Sequence, residues 1–515
     1  MKMVKSLILG SAAGLVAMSG AQAADLPVKA KAVEYVRICS LYGAGFFYIP
    51  GTDTCIKLGG YLRAEMAINT NSVYTGNETT PGGFGNRYTN AFTWRSREDL
   101  NVDTRTATEY GVLRTFFDAT FTWTSDSYTA NGANVLGTTY SQLGATGIAA
   151  PNNANAGATS YGTLGVYYAF IQFAGFTMGK AVSPFGATWS AYPGNNFDGL
   201  VGGDGTITGV NQFAYTADFG QGVSGTIAVV DPTQYYQAGV LNFGVFGTGN
   251  GTGVNDYAGT VAPDIQGVLK VVQAWGSAQL SVAAHDNNPA YYVNPASAAF
   301  GGHPNDKWGF AVQGALSINN IPTGAGDTIN VQGVYTNGAT RYNIQNLAAG
   351  AGAWTTFAGT NVPGALGSIG IGVAPDSVFN TGGQQKLINT WGARGGFNHN
   401  WDPNWSTSVY GAFASVDYGS TTTVGSAAST FCASLVATQP GVTNCNPNYT
   451  VVQAGIITRW TPVKNLTFSL DYTFQHLSQN NTGTIVFPGG SYGTGTYVLA
   501  DQNTHEALIR AQRNF

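Results

Sequence analysis

Apolar and polar residues alternate along much of the chain with the two-residue period of a β-strand. Between Ile56 and Met66, apolar residues take even positions, while Lys57, Arg63 and Glu65 take odd ones. The same alternation runs through segments 92–103, 113–123 and 466–475. Such strands have one apolar and one polar face, so the pattern predicts an all-β protein.

The predicted strands are joined by connections that alternate between short and long. The short links include 218–222, 275–277, 402–404 and 462–465, and the long segments are 125–160, 183–208, 232–262, 287–305, 337–384, 418–448 and 478–503. Compact soluble domains rarely contain so many long irregular loops. Outer-membrane barrels have short periplasmic turns, long external loops and an even strand number. The chain is therefore predicted to form a transmembrane antiparallel β-barrel of about sixteen strands.

The composition agrees with a barrel in lipid. Only 9% of the residues are charged, against roughly 25% in soluble proteins, whereas Gly (71), Tyr (27) and Phe (27) are abundant. After the first residues there is no apolar run of about 20 residues, as a membrane helix needs. A closed barrel satisfies its backbone without such a run. The net charge of −4 argues against a nucleic-acid partner.

Both ends of the sequence indicate export. A basic start is followed by the apolar stretch Leu7–Met18 and the cleavage pattern Ala21-Gln22-Ala23, which predicts a signal peptide at 1–23. The last strand-like segment ends on Phe515, which resembles the sorting signal of outer-membrane barrels. The expected location is the outer membrane, with a periplasmic segment at 24–53 and the barrel at 54–515.

Four cysteines form two pairs that are local in sequence: Cys39 with Cys55, and Cys432 with Cys445. In an exported protein, this arrangement predicts two disulfides that close short loops. The first loop is expected in the periplasm and the second outside the cell. A metal site is the alternative, but no C-x-x-C spacing supports it.

The segments Val33–Cys39, Tyr42–Cys55 and Leu58–Arg63 closely resemble the N-terminus of the alphaproteobacterial general porins, and Asp103–Gly111 resembles a turn of that family. The resemblance implies a sixteen-stranded homotrimeric porin whose third loop folds inward. It also implies a passive, water-filled channel for ions and small hydrophilic solutes, surrounded by outer-membrane lipid and lipopolysaccharide. No cofactor or metal is expected.

Strand parity identifies the charged residues that are expected to face the lumen. They are Lys57, Arg63, Arg95, Arg97, Arg114, Arg394, Arg459, Arg510, Glu65, Asp99, Asp103, Asp118, Asp471 and Glu506. Arg63, Arg95, Arg97 and Arg114 are the predicted constriction residues, because charged rings set pore selectivity.

By position, segment 183–208 matches the constriction loop of the family. We hypothesise that Asp198 and Asp204 on it face the early arginines across the eyelet. Calcium ligation is the alternative for this Asp/Asn/Gly-rich loop, although its spacing matches no EF-hand.

Aromatic residues including Trp94, Trp123, Tyr168 and Trp391 are expected at strand ends or on the lipid face, as an interfacial girdle. Parity allows only Tyr61 among the aromatics considered to stack a sugar inside the pore.

An outer-membrane barrel enzyme, a protease or phospholipase, is the alternative function. It would need a Ser, His and Asp together. His285 adjoins Asp286, but no nucleophile elbow accompanies it. The sequence therefore favours a protein that is not an enzyme. A plugged, energy-coupled receptor is excluded, because only about 30 residues precede the barrel, and a plug needs a folded domain of its own.

Overall fold

The computed structural model describes residues 37–69, 92–124, 158–159, 162–187, 196, 200–204, 209–233, 235–244, 254–255, 257–292, 302–344, 353–487 and 495–515. The chain divides into two compact units, Met1–Ile56 and Lys57–Phe515.

The described part of the N-terminal unit is small and closed by a disulfide. A 3₁₀ helix at Ser40–Tyr42 precedes a strand at Phe47–Tyr48, which pairs with Cys55 and Ile56. Cys39 and Cys55 are bonded and buried together with Phe46. The disulfide supplies much of the order in a unit this small, because so short a segment buries little apolar area.

Sixteen antiparallel strands form a closed barrel. They are β1 (Cys55–Asn69), β2 (Phe92–Thr108), β3 (Gly111–Thr124), β4 (Gly162–Phe173), β5 (Phe176–Ala181), β6 (Val210–Gly220), β7 (Val223–Val230), β8 (Asp264–Gln273), β9 (Gly276–Asn287), β10 (Lys307–Asn319), β11 (Thr328–Asn337), β12 (Asn389–Asn400), β13 (Trp405–Asp417), β14 (Tyr449–Val463), β15 (Leu466–Gln479) and β16 (Gln502–Asn514). The last strand pairs with the first, with Ala511 opposite Ala64. The predicted fold class and strand number are confirmed.

Apolar side chains cover the outer face of the barrel. Large exposed ones include Leu62, Phe213, Ile227, Leu280 and Phe468. Their neighbours along each strand point inward, because successive side chains alternate between faces. Hydrocarbon offers no hydrogen bonds, so the outer face of a barrel in lipid must be apolar. None of the helices in the described ranges is long and apolar enough to cross a membrane.

Turns at one end of the barrel are short. Between β6 and β7, Gln221 and Gly222 have φ angles of 52° and 75°, as a type I′ hairpin turn requires at both positions. A Cβ on Gly222 would lie 2.0 Å from the carbonyl oxygen of Val272, so only glycine fits there. The connections at the other end are long, at 70–91, 125–161, 182–209, 231–263, 288–306, 338–388, 418–448 and 480–501. This asymmetry agrees with the sequence prediction.

The turn between β10 and β11 is held by the carboxylate of Asp327. It accepts hydrogen bonds from the backbone N–H of Asn400 at 2.8 Å, His399 Nδ1 at 2.7 Å and Thr323 Oγ1 at 2.7 Å. Burial alone would raise the pKa of Asp327, but the three donors stabilise its charged form and lower the pKa to about 2.

We expect Asp327→Ala to weaken amide protection at Asn400, because that N–H loses its acceptor. A pKa lowered by folding adds stability above the unfolded value of about 3.9. That stability is lost as the pH falls through the folded value of about 2. Hydrogen exchange should therefore show protection at Asn400 between pH 4 and pH 7 in the wild type only. Asp402→Ala, in the β12–β13 turn, is the control. Equal loss in both variants would contradict the assignment.

The long loops carry secondary structure of their own. One four-stranded sheet contains Val240–Asn242, Val254–Asn255, Ser377–Phe379 and Lys386–Leu387. A five-stranded sheet contains Ala353–Ala358, Gly367–Val373, Val442–Asn444, Thr482–Phe487 and Gly495–Leu499. Ala158–Thr159 pairs with β4, and a 3₁₀ helix lies at Thr340–Tyr342. The largest apolar cluster includes residues from these loops and from the ends of nearby strands.

The 418–448 loop contains the helix α1 (Ala427–Thr438). The hydroxyl of Ser426 caps it by accepting a hydrogen bond from the N–H of Ser429 at 3.0 Å. Phe431 and Leu435 are one turn apart and both buried. Phe431 packs edge-on against Tyr418, with ring centroids 5.6 Å apart. The Cys432–Cys445 disulfide joins the helix to the strand that follows it.

We expect removal of this disulfide, by Cys432→Ser with Cys445→Ser, to loosen the loop and leave the barrel intact. The bond closes a sequence separation of 13 residues, and a loop of that size is worth about 3 kcal/mol in the chain-entropy model. Limited proteolysis should cut the variant within 418–448 much faster than the wild type. The melting temperature of the barrel should stay within a few degrees. A large fall in that temperature would show that the disulfide supports the barrel itself.

Candidate functional site

Four arginines lie on the lumen face of β1–β3 and are called the arginine wall: Arg63, Arg95, Arg97 and Arg114. Each is partly buried, while residues of opposite parity such as Leu62 and Trp94 are exposed on the outer face. A cation on the lipid face would cost roughly 2–4 kcal/mol at mid-bilayer. The alternation therefore places all four guanidinium groups in the lumen.

Two members of the arginine wall form ion pairs with carboxylates on strands β1 and β2. Glu65 has a fully buried side chain, which forms ion pairs with Arg95 and with Arg510, whose Nε lies 2.7 Å from the carboxylate. Arg114 Nη2 lies 3.0 Å from Asp103. The charge of both carboxylates is thus balanced locally.

The other two members pack against aromatic rings. Arg63 donates from Nε to Gln512 at 2.9 Å and lies 4.4 Å from the centre of the Tyr61 ring. Arg97 donates from Nε to Thr122 at 2.9 Å and lies 5.6 Å from the centre of the Tyr167 ring. A planar guanidinium stacks well on an aromatic face and is held there without losing its charge.

A β-bulge places Tyr167 and Tyr168 both on the lumen side. Asp118 of β3 is opposite Tyr168, whereas the next residue, Ala119, is opposite Val166. Tyr167 is the extra residue, and the bulge reverses the parity of β4. The prediction that Tyr168 belongs to the girdle is therefore wrong, because strict alternation does not survive a bulge.

The connection between β5 and β6, residues 182–209, is called the inward segment because its described residues bond to lumen side chains. The carbonyl oxygen of Phe185 accepts from Gln313 at 2.9 Å and from Ser281 at 2.9 Å. The backbone N–H of Val201 donates to Gln453 at 2.9 Å. These partners belong to β9, β10 and β14, so the segment lies against the far wall of the lumen.

Asn196, another described residue of the inward segment, bonds to β15 and β16. The backbone N–H of Asn196 donates to Asp471 at 2.5 Å, and its carbonyl oxygen accepts from Arg510 at 2.6 Å. Arg510 also pairs with Glu65. One chain of polar contacts therefore joins β15, β16 and β1 through the segment.

Asp204 lies where hydrogen bonds hold the inward segment to its surroundings. Its side chain is fully buried and accepts a hydrogen bond from the hydroxyl of Tyr236 at 2.9 Å. Arg394 of β12 donates to the carbonyl oxygens of Asp204 and, at 3.1 Å, Leu200. A carboxylate without solvent exposure does not line a wet eyelet, which corrects the expectation for Asp204. Asp198 lies outside the described residues.

A buried polar network connects the inward segment to two other loops. Tyr236 stacks on Tyr342 with ring centroids 4.0 Å apart, and the hydroxyl of Tyr342 donates to Asp264 at 2.6 Å. His285 Nδ1 lies 2.7 Å from the same carboxylate. Asp376 lies 3.4 Å from His285 Nε2. Both ring nitrogens of His285 thus face carboxylates, and the ring is fully buried. This histidine is placed to hold loops together and not to serve as a base for a substrate.

Sequence reasoning missed the glutamines that hold the inward segment. Gln279, Gln313, Gln332 and Gln453 are all buried on the lumen face, in β9, β10, β11 and β14. The sequence signal for them is a glutamine on the polar face of each of several strands. An amide is an effective anchor because it donates and accepts at once.

Comparisons with known proteins identify related chains. The family model described as porin subfamily matches residues 25–508. The chain is 32% identical over 359 residues to porin Omp2b of Brucella abortus, covering 69% of this chain and 80% of the relative. It is 33% identical to porin Omp2b of Brucella suis biovar 1 with the same coverage.

A solved structure with a similar fold is the outer membrane channel DcaP of Acinetobacter baumannii. It has a TM-score of 0.55 and 14% sequence identity, and the match covers 91% of this chain and 99% of DcaP. At this identity the likeness is one of fold alone.

Proposed function

The chain belongs to the porin subfamily and forms a passive diffusion channel in the outer membrane, and we propose that its constriction lies between the inward segment and the arginine wall. Ions and small hydrophilic solutes cross this gap down their gradients. The channel needs neither a cofactor nor an energy source for that.

The position of the inward segment carries the proposal. Its described anchors fall on Ser281, Gln313, Arg394, Gln453 and Asp471. These residues belong to β9, β10, β12, β14 and β15. Phe185 also bonds to Gln266 of β8, and Asn196 bonds to Arg510 of β16. The described part of the segment thus lies along β8–β16, which supports a gap on the side of β1–β4. A barrel of this size is too wide for its own side chains to fill.

Purified protein in planar bilayers tests the channel and its narrowest point. We expect stepwise, ohmic conductance. The described residues contain no free cysteine, so Arg97→Cys provides a labelling site. A bulky maleimide on that cysteine should block most of the current. The same label on Arg459→Cys, on the lumen face of β14, should block much less. Equal block at both positions would overturn the proposed constriction.

We also propose that the channel is a homotrimer, as the family resemblance implies. The native mass in detergent, measured by light scattering, should be three times that of one chain. A monomeric mass with unchanged single-channel conductance would overturn the trimer and leave the channel in place.

A further inference from the structure

A recess of ≈ 540 Å³ lies in the lumen beside the start of the inward segment. Its lining comes from β4–β9 and from residues 182–187, and includes Tyr168, Phe170, Gln212, Thr226 and Gln279. Its volume falls within the range of small-molecule sites, roughly 300–1,000 Å³. None of the four arginines lines the recess, although Arg114 donates to Gln172 of its lining at 3.0 Å.

One side of the recess is aromatic. Phe170 and Tyr168 are partly exposed to it, and Phe170 is stacked on Phe116 with ring centroids 5.4 Å apart. Phe116 also lies 6.2 Å from Tyr168, centre to centre. The bulge in β4 brings Tyr168 into this group. Arg114 lies over the Phe170 ring, 5.5 Å from its centre. A solute that covered the exposed remainder of this strip would bury apolar surface.

The other side offers uncharged polar groups. Gln212 Nε2 donates to the carbonyl oxygens of Ala181 and Val182, at 3.0 and 2.9 Å. Gln279 Nε2 donates to the carbonyl oxygen of Pro184 at 3.1 Å. The amide nitrogens are thereby engaged, and each side chain retains its amide oxygen as an acceptor. The hydroxyls of Thr177, Thr216, Ser224 and Thr226 also line the recess.

Formal charge is nearly absent from the lining. Lys270 is the single charged residue among the described residues that form the recess, and no carboxylate lines it. The recess is therefore poorly suited to a metal ion or to a highly charged solute. A purely apolar ligand would make no use of the amide and hydroxyl groups of the recess, of which the Thr216 and Thr226 hydroxyls bond to each other at 2.9 Å.

We propose that this recess is a weak binding site for neutral sugars, of one or two rings, on their way through the channel. A sugar ring has an apolar face of C–H groups and an edge of hydroxyls. The first fits the Tyr168–Phe170 side and the second fits the amide and hydroxyl side. Such a site must bind weakly, because a solute in a channel has to leave it again. The proposal rests on the proposed channel function.

Current recordings with sucrose as the probe test it. We expect sucrose to reduce the current of the wild-type channel in a saturable way. Phe170→Leu, which keeps an apolar side chain but removes the ring, should raise the half-saturating concentration by about two- to tenfold. Tyr168→Leu should act in the same direction. Phe213→Leu, an outward-facing neighbour of Gln212, is the matched control and should leave the block unchanged.

A polyethylene glycol of the same hydrodynamic radius separates binding from simple obstruction. It should lower the current in proportion to concentration, with no saturation. Equal behaviour of sucrose and the polymer, or an unchanged half-saturation in both aromatic variants, would overturn the sugar site with the channel function intact. Absence of current in the wild type would instead overturn the channel, and the site with it.

Discussion

We expect that replacing Arg63 and Arg97 together by glutamate will shift the selectivity of the channel toward cations by about tenfold. Two unit charges roughly 8 Å apart in water interact by about 0.5 kcal/mol. The double reversal changes the local charge by four units, which gives about 2 kcal/mol before salt screens part of it. These two arginines are chosen because they bond to the neutral groups Gln512 and Thr122 and stack on tyrosines.

The reversal potential across a KCl gradient measures this shift. The single variant Arg63→Glu should produce a part of it. The matched control is Arg513→Glu, because Arg513 is exposed near the end of β16 and donates to the carbonyl oxygen of Lys464. Heat-modifiable migration on a gel shows that each variant is folded. If Arg513→Glu moves the reversal potential as far as Arg63→Glu, the arginine wall does not set the selectivity.

We expect that replacing Arg394 by methionine will free part of the inward segment and make the channel current noisy, with visits to a higher conductance. Arg394 donates to the carbonyl oxygens of Leu200 and Asp204. Hydrogen bonds from a charged donor contribute about 1.5–3 kcal/mol each. Losing two of them shifts the equilibrium between the bound and released segment by about a hundredfold or more. Asp204 also loses the nearby cation that balances its buried charge.

Arg459→Met is the control for this experiment. Arg459 also lies on the lumen face of its strand, but its Nη1 donates to Ser408 of the neighbouring strand at 2.9 Å. Its removal should change conductance slightly and leave the noise unchanged. If both methionine variants were equally noisy, Arg394 would not be a specific anchor. If Arg394→Met were as quiet as the wild type, the remaining anchors would suffice by themselves.

The fold could be predicted because its determinants are local. Alternation around Arg63, the turn at Gln221 and the short and long connections are all visible in a few consecutive residues. A bulge is less visible, because one inserted residue in β4 leaves the composition of the strand unchanged. Strict alternation therefore does not predict that Tyr168 faces the lumen.

The candidate site was predictable only in part, because its contacts join residues that are distant in sequence. Parity placed the early arginines in the lumen, but it gave no sign that Arg95 shares Glu65 with Arg510. His285 was noticed for its neighbour Asp286, whereas in the structure it pairs with Asp264. The burial of Asp204 depends on Tyr236 in another loop. These contacts depend on how the strands and loops pack in three dimensions. The alternation of apolar and polar residues along the sequence carries no information about that packing.

The buried polar network has a consequence for how this protein can vary. Tyr236, Tyr342 and Asp376 fasten the bases of two external loops to each other and to the inward segment. Side chains far from that base, such as Val424 at 97% exposure, contact little of the protein. The outer surface of the loops is therefore free to change in sequence, while the lumen is constrained separately.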